Sequence, residues 1–304
     1  MADGMDSALR QINEELKALL LRHMPAPGKY ATSVKGLTLS RRQEINKSDS
    51  CFGNPSVAAI VQGGKCAIVG GEEYRYTEGQ YCITGIDLPS AFYILHPSEE
   101  NPFLAVIVDL DCRILSRLVL ELPPVAADEK SRGSGFVVGD LDVDLLTCFL
   151  RLVRLLDKPE QIPVRAPMII AELHCLLLAS PRGDCLRQLN TSGTQSNMIV
   201  QAVSWLKDNY AKPLRVEDLA RQANMSLSTF HRYFKEVTGL SPLQFHKQLR
   251  LYEAQRLMVL EDQKASSASM QVGYESEAQF HREYKRLFGE SPGRDKMQRQ
   301  KRVQ

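Results

Sequence analysis

Two short segments, fifty positions apart, hold the densest cluster of charged and aromatic side chains in the chain. Phe230-His231-Arg232-Tyr233-Phe234-Lys235 is matched by Phe280-His281-Arg282-Glu283-Tyr284-Lys285, and Gly239-Leu240-Ser241-Pro242 by Gly289-Glu290-Ser291-Pro292. Read as helices, Phe230, Phe234 and Val237 fall at i, i+4 and i+7, as do Phe280, Tyr284 and Leu287. That periodicity buries the aromatic side and leaves His231, Arg232 and Lys235, or His281, Arg282 and Lys285, on the other. A free helical face of this composition suits a polyanion: arginine presents a fork to guanine O6 and N7, and lysine neutralises phosphate.

Other reactive side chains are sparse. The cysteines at 51, 66, 82, 112, 148, 175 and 185 are odd in number and never spaced as C-x-x-C, which argues against a disulfide framework and a zinc site. Cys51, Cys66 and Cys82 read as small core residues or as a thiol sensor. His96 is the one histidine between positions 24 and 173, too few for a metal held by two histidines and a carboxylate. With no glycine-rich phosphate loop or nucleophile elbow, the sequence predicts no enzyme, no metal and no cofactor.

The elements that must position the basic faces follow from the same periodicities. A short helix precedes each, Val216–Ala223 through Asn224-Met225-Ser226 and Ala268–Val272 through Gly273-Tyr274-Glu275-Ser276, which makes two helix-turn-helix units. Ser276 and Gln279 are spaced as a capping box. A helix from Leu243 to Leu260, roughly 27 Å long at ~1.5 Å per residue, joins the units. That length is of the order of the ~34 Å turn of DNA, so one monomer could read two successive major-groove segments. Upstream, Leu37–Gln43, Ser56–Gln62, Lys65–Val69, Gln80–Thr84, Ala91–Leu95 and Phe103–Val108 alternate or run apolar between glycine and proline turns, as in a small β-sandwich or barrel. From Asp111 onward the period is helical. Leu145, Phe149, Leu152 and Leu156 form a stripe that reads as core or as a dimer seam, and a second helix runs from about Ala166 to Ala179.

The polar stretch Asn190 to Asn197 reads as a linker, giving domains at 1–189 and 198–304 with 190–197 between them. Residues 1–190 carry a balance of −4 and residues 191–304 one of +6, hidden in a net charge of +2. The basic half is therefore the one expected to meet a polyanion. No apolar run is seen to approach the 18 or more residues of a membrane span, and no secretion signal is readable, so the expectation is a cytoplasmic protein without a membrane partner.

Residues 198–296 resemble the DNA-binding domain of the AraC/XylS family of bacterial transcription regulators. The second unit of that family usually reads G-F-x-S-x-S-x-F-x-R-x-F-K followed by G-x-S-P, and Gly273 to Lys285 followed by Gly289 to Pro292 is similar to it. Ala268-Ser269 departs from the family's usual Ile-Ala, which leaves the second supporting helix with little apolar area and a loosely held unit. The N-terminal part is similar, through fragments such as Val61-Gln62-Gly63-Gly64-Lys65, Gly79-Gln80-Tyr81 and Asp87-Leu88-Pro89, to the cupin-like sensor domain of one AraC subgroup.

The resemblance implies an α+β chain: a cupin-like N-terminal β-barrel or sandwich with appended helices, then an all-α domain of two helix-turn-helix units joined by a linker helix. It implies base-reading positions at Ser228, His231 and Arg232 in the first unit and Glu277, Ala278, Gln279, His281 and Arg282 in the second, with Lys235 and Lys285 on phosphate. Glu277 is a cytosine reader or a bystander. The expected function is a homodimeric, sequence-specific regulator of transcription, an activator that meets RNA polymerase, controlled by a small effector in the N-terminal domain. The effector residues are unknown. Control by a partner protein or by thiol modification is the alternative.

Overall fold

Residues 7–44, 49–123 and 133–303 are described in the computed structural model. Helix α1 (Ser7–His23) is followed by β1 (Gly28–Ala31), β2 (Leu37–Arg42), β3 (Asp49–Gly53), β4 (Ser56–Gln62), β5 (Gly64–Val69), β6 (Glu72–Thr77), β7 (Gln80–Thr84), β8 (Leu88–Leu95) and β9 (Phe103–Asp109). Helix α2 (Cys112–Glu121) intervenes before β10 (Phe136–Asp140). The last strand corrects the expectation that the period is helical from Asp111 onward. Five residues beside Gly133 and Gly135 carry too little period to stand out from a loop, yet β10 pairs antiparallel with β7, Phe136 opposite Thr84.

The strands form two antiparallel sheets, ordered β1-β2-β9-β4-β7-β10 and β3-β8-β5-β6. In the larger sheet Val57, Ala59, Val61, Leu104, Val106 and Val108 bury one face against α1 and α3 (Val143–Arg154). The alternate residues Ala58, Ile60, Cys82 and Ala105 turn towards Ala67, Tyr76 and Ile94 of the smaller sheet. Burial on both faces is why Phe103 to Val108 reads as an unbroken apolar run. The stripe Leu145, Phe149 and Leu152 lies at 0–1% exposure within this core, which decides for core over a dimer seam. Helix α1 lies outside the elements expected from the sequence, although Leu9, Leu16 and Leu20 keep a helical period and Asn13 between them donates to the Val61 carbonyl at 3.0 Å.

Helix α4 (Ile162–Ala179) corrects a second expectation. Pro159–Ala179 is helical over 21 residues with a window of mean hydropathy 1.6, enough by length and composition to cross a membrane. Arg165 and Glu172 break the run into shorter apolar pieces, so only its average carries the signal. In the fold Ala166, Ile169, Leu173 and Leu177 join the core, and Glu172 pairs with Arg151 of α3 at 2.6 Å.

Helices α5 (Gly183–Asn190) and α6 (Gln195–Asp208) leave only residues 191–194 outside helices in the stretch read as a linker. Those residues are tied down: Thr194 caps α6 by accepting from the Asn197 amide at 3.1 Å, and the Asn197 side chain donates to the Leu189 carbonyl at 2.8 Å. The first unit then comprises α7 (Val216–Gln222) and α8 (Leu227–Thr238). Helix α9 (Pro242–Leu260) leads to α10 (Ala265–Gln271), α11 (Glu277–Phe288) and α12 (Pro292–Val303).

Ser226, Ser241 and Ser276 cap the starts of α8, α9 and α11, and left-handed glycines stop α8 and α11, at Gly239 with φ 73° and Gly289 with φ 80°. The capping box expected at Ser276 is half made: Ser276 accepts from the Gln279 amide at 3.3 Å, but the Gln279 side chain turns to Glu283. The reciprocal box forms at Ser241 and Gln244 instead. The small residues of α10 do not leave the second unit unfilled. Val272 and Tyr274 are buried beside Ala268, and the Tyr274 ring meets Phe280 edge-on at 5.3 Å.

Candidate nucleic-acid interface

Each basic helix is oriented by what it buries. On α8 Phe230 and Phe234 are fully buried, and Phe234 meets Phe245 of α9 edge-on at 5.5 Å. On α11 Phe280 and Tyr284 are fully buried, and the Tyr284 ring lies 4.5 Å from that of Phe288. The opposite faces are open: Ser228, Arg232 and Lys235 are exposed and His231 half-buried on α8, while Glu277, Ala278, Gln279, His281, Arg282 and Lys285 are all exposed on α11. Every position singled out in the sequence therefore reaches solvent on one of two helices. The Arg232 guanidinium rests 4.6 Å from the centre of the Tyr233 ring, which holds the fork on the outer face. Glu277 Oε1 lies 3.5 Å from His281 Nε2, a turn along, so its carboxylate has a partner on its own helix.

Arg250 on α9 is a positioning residue that sequence reading missed. Its guanidinium donates to the carbonyls of Tyr210 at 2.7 Å, Gly273 at 3.1 Å and Lys212 at 3.0 Å. The turn between α6 and α7, which leads into the first unit, is thereby tied to the turn before α11, and this fixes one reading helix against the other. Its acceptors are backbone atoms, and nothing in a sequence identifies those.

The β-domain touches the first unit and shares its core. Ile86, Leu88, Phe136 and Leu189 pack with Ile199, Val203, Phe234 and Val237. A helix leaves its last carbonyls without partners, and here the Gly135 amide donates to the Val237 carbonyl of α8 at 2.8 Å. Beside it the β5–β6 turn lies against the end of α8 so closely that a Cβ on Gly70 would be 2.4 Å from the Gly239 Cα. Lys207 of α6 pairs with Asp87 at 2.7 Å. The second unit keeps a separate core of Leu251, Leu257, Met258, Val272, Phe280 and Tyr284.

Between the two sheets lies a cavity of about 270 Å³ whose lining includes Lys29, Arg42 and Lys65 together with Ile60, Phe92 and Phe103. The Lys65 ammonium stands 3.8 Å over the Phe92 ring. Cys82 also faces this space, where burial pushes its thiol up, away from the thiolate form. Cys66 is buried as well, His96 is exposed, and the side chain of Cys51 lies outside the described residues. Among the described residues no cluster of three or more metal-ligating side chains forms. The cavity was not legible in the sequence, because alternation shows which residues point inward but not how far apart the facing sheets stand.

Residues 33–185 match the family model of the AraC-type transcriptional regulator N-terminus, and residues 219–298 match that of a helix-turn-helix domain. The chain is 30% identical over 142 residues to the transcriptional regulator ExsA of Pseudomonas aeruginosa, covering 45% of this chain and 49% of that one. It is 27% identical over 136 residues to the transcriptional activator RhaS of Pectobacterium carotovorum, covering 45% and 47%. The alignments span about half the length of these curated relatives. Among solved structures, unsaturated fatty acid bound ToxT from Vibrio cholerae superposes with a TM-score of 0.56 at 9% identity, over 85% of this chain and 93% of that one. A second ToxT structure from the same organism gives 0.58 at 13% identity, over 86% and 97%. At such identities the likeness is one of fold.

Proposed function

Because the chain belongs to the AraC-type family of transcriptional regulators, we propose that it binds duplex DNA with α8 and α11 in successive major-groove segments and activates transcription in response to a small effector. The observation that carries this reading is the pair of basic faces, each held outward by a buried aromatic stripe and tied to the other through Arg250. Arg232 and Arg282 are assigned to guanine and Gln279 to adenine, with Ser228, His231, Ala278 and His281 lining the same contact. Lys235 and Lys285 contact phosphate. Glu277 is a bystander in this reading, its carboxylate turned back along α11 to within 3.5 Å of His281. An activating role is supported by the RhaS likeness, and it makes RNA polymerase the partner and the cytoplasm the place of work.

The effector is assigned to the cavity between the sheets. Its size suits a small molecule rather than a protein segment, and three cations, Lys29, Arg42 and Lys65, against one carboxylate, Asp109, beside apolar residues suit an anion with an apolar body. The fatty acid held by ToxT, a protein of similar fold, supports the same chemistry. Phe136 lines the cavity and adjoins Gly135, which holds α8, so occupancy of the cavity can reach a reading helix through one residue. A homodimer is supported by α4, where Val164 and Met168 stay 68% and 67% exposed on one apolar face. A salt titration of the full chain on duplex DNA tests the reading. Each phosphate neutralised should add about −0.9 to the slope of log K against log salt; a salt-insensitive association, or none, sinks it.

A further inference from the structure

The two reading helices are copies of one pattern, yet they differ at the position one turn beyond the first readers. Tyr233 in the first unit is replaced by Glu283 in the second, and Thr229 by Gln279. The replacements act together. Gln279 Nε2 donates to Glu283 Oε1 at 3.2 Å, Lys247 of the linker helix donates to the same oxygen at 2.9 Å, and the Tyr274 hydroxyl donates to Glu283 Oε2 at 2.8 Å. The carboxylate is only 13% exposed although Arg282 before it and Lys285 and Arg286 after it on the same helix are exposed. Burial opposes its charge, but the hydrogen bonds from Lys247, Tyr274 and Gln279 outweigh that and hold the carboxyl below its ordinary range.

From this geometry we infer that Glu283 is a specificity-determining residue: it fixes the orientation of the Gln279 amide so that the second unit selects adenine. The inference rests on the proposed reading of DNA by α11. A free glutamine presents its amide either way round. A carboxylate only accepts, so the atom facing Glu283 has to be the NH₂. One N–H is engaged by Glu283, and the other N–H and the carbonyl oxygen remain as a donor and acceptor in fixed order. Adenine N7 accepts and its N6 donates, which is the complement of that pair. Lys247 and Tyr274 anchor the carboxylate to α9 and to the turn before α11, so the orientation is set before DNA arrives. The first unit has no such device: Thr229 is turned to the Ser226 hydroxyl at 2.8 Å, and Tyr233 carries Arg232 on its ring.

The test uses the full chain and the duplex that the wild type selects from a random pool. Affinities are then measured by anisotropy for that duplex and for versions with each base pair changed in turn. Gln279→Ala should abolish the preference at one A·T pair, and Glu283→Ala should lose the ~5- to ~150-fold discrimination that a bidentate contact supplies at that same pair. Affinity ratios at every other pair should stay within about threefold. Glu283→Gln keeps the side chain's shape but lets either amide turn, so it should fall between the wild type and Glu283→Ala, which guards against a folding defect. Wild-type discrimination in both Glu283 variants, beside a loss in Gln279→Ala, overturns the inference while leaving adenine reading intact. An unchanged preference in Gln279→Ala removes the reading itself and the inference with it.

Discussion

Arg232 and Arg282 share a position in the repeat and are both exposed, but their surroundings differ: one lies on an aromatic ring, the other shares its helix with a glutamine held by a carboxylate. Type and spacing made both arginines legible, because a basic residue opposite a buried aromatic stripe has few other places to go. The pair Lys247 and Glu283 was not legible, since 36 residues separate them and only the fold brings them to 2.9 Å. His246 shows the same limit. It is buried on α9, donates from Nε2 to the Tyr210 carbonyl at 2.8 Å, and burial followed by the nearby Arg250 charge lowers its pKa to about 4. The unfolded histidine takes up its proton near 6.5, so between those values the unfolded state binds more protons. Stability should therefore fall as pH drops from about 6.5 to about 4. Urea midpoints across that window check this, and His246→Asn should flatten the fall; an identical pH profile in the variant would mean other groups cause it.

Among elements, β4, β5 and β7 are legible to within a residue, because the left-handed glycines Gly63, Gly70 and Gly79 mark their turns and the apolar runs between are too short for helices. β1, β3, β6 and β10 escaped, being short, charged or half-exposed strands that owe their form to pairing with better-marked neighbours. The supporting helix α10 is as small and polar as its composition says, but its unit is filled by Val272 and Tyr274 from the turn that follows. Helix α8 has more than its own unit to hold it: the β-domain supplies Phe136 and Leu88 to its core and an amide to its last turn. Local opening of Phe280–Leu287 should accordingly be cheaper than that of Phe230–Val237. Hydrogen exchange of the free protein should show the second helix less protected, and equal protection would mean that docking on the β-domain adds nothing to α8.

At the scale of the molecule, control has to pass through the few places where sheets meet helices. Gly135 is the most exposed to test, because a Cβ there would stand 2.6 Å from the Val237 carbonyl that its amide holds. Gly135→Ala should cost on the order of 1–3 kcal/mol of stability and raise exchange in the last turn of α8 while leaving α11 unchanged; a rise in both, or in neither, would deny the contact its local role. The central claim is that two copies of one helix read one duplex, about a turn apart, and selection from a randomised duplex pool tests it most directly. Arg232→Ala and Arg282→Ala should each cost about 1–3 kcal/mol on the selected site and relax one or two base pairs, the two sets lying about one helical turn apart. Lys235→Ala should weaken all sequences alike and flatten the salt slope by about one unit. If both arginine variants select the wild-type motif unchanged, α8 and α11 only grip the backbone, and the reading face lies elsewhere.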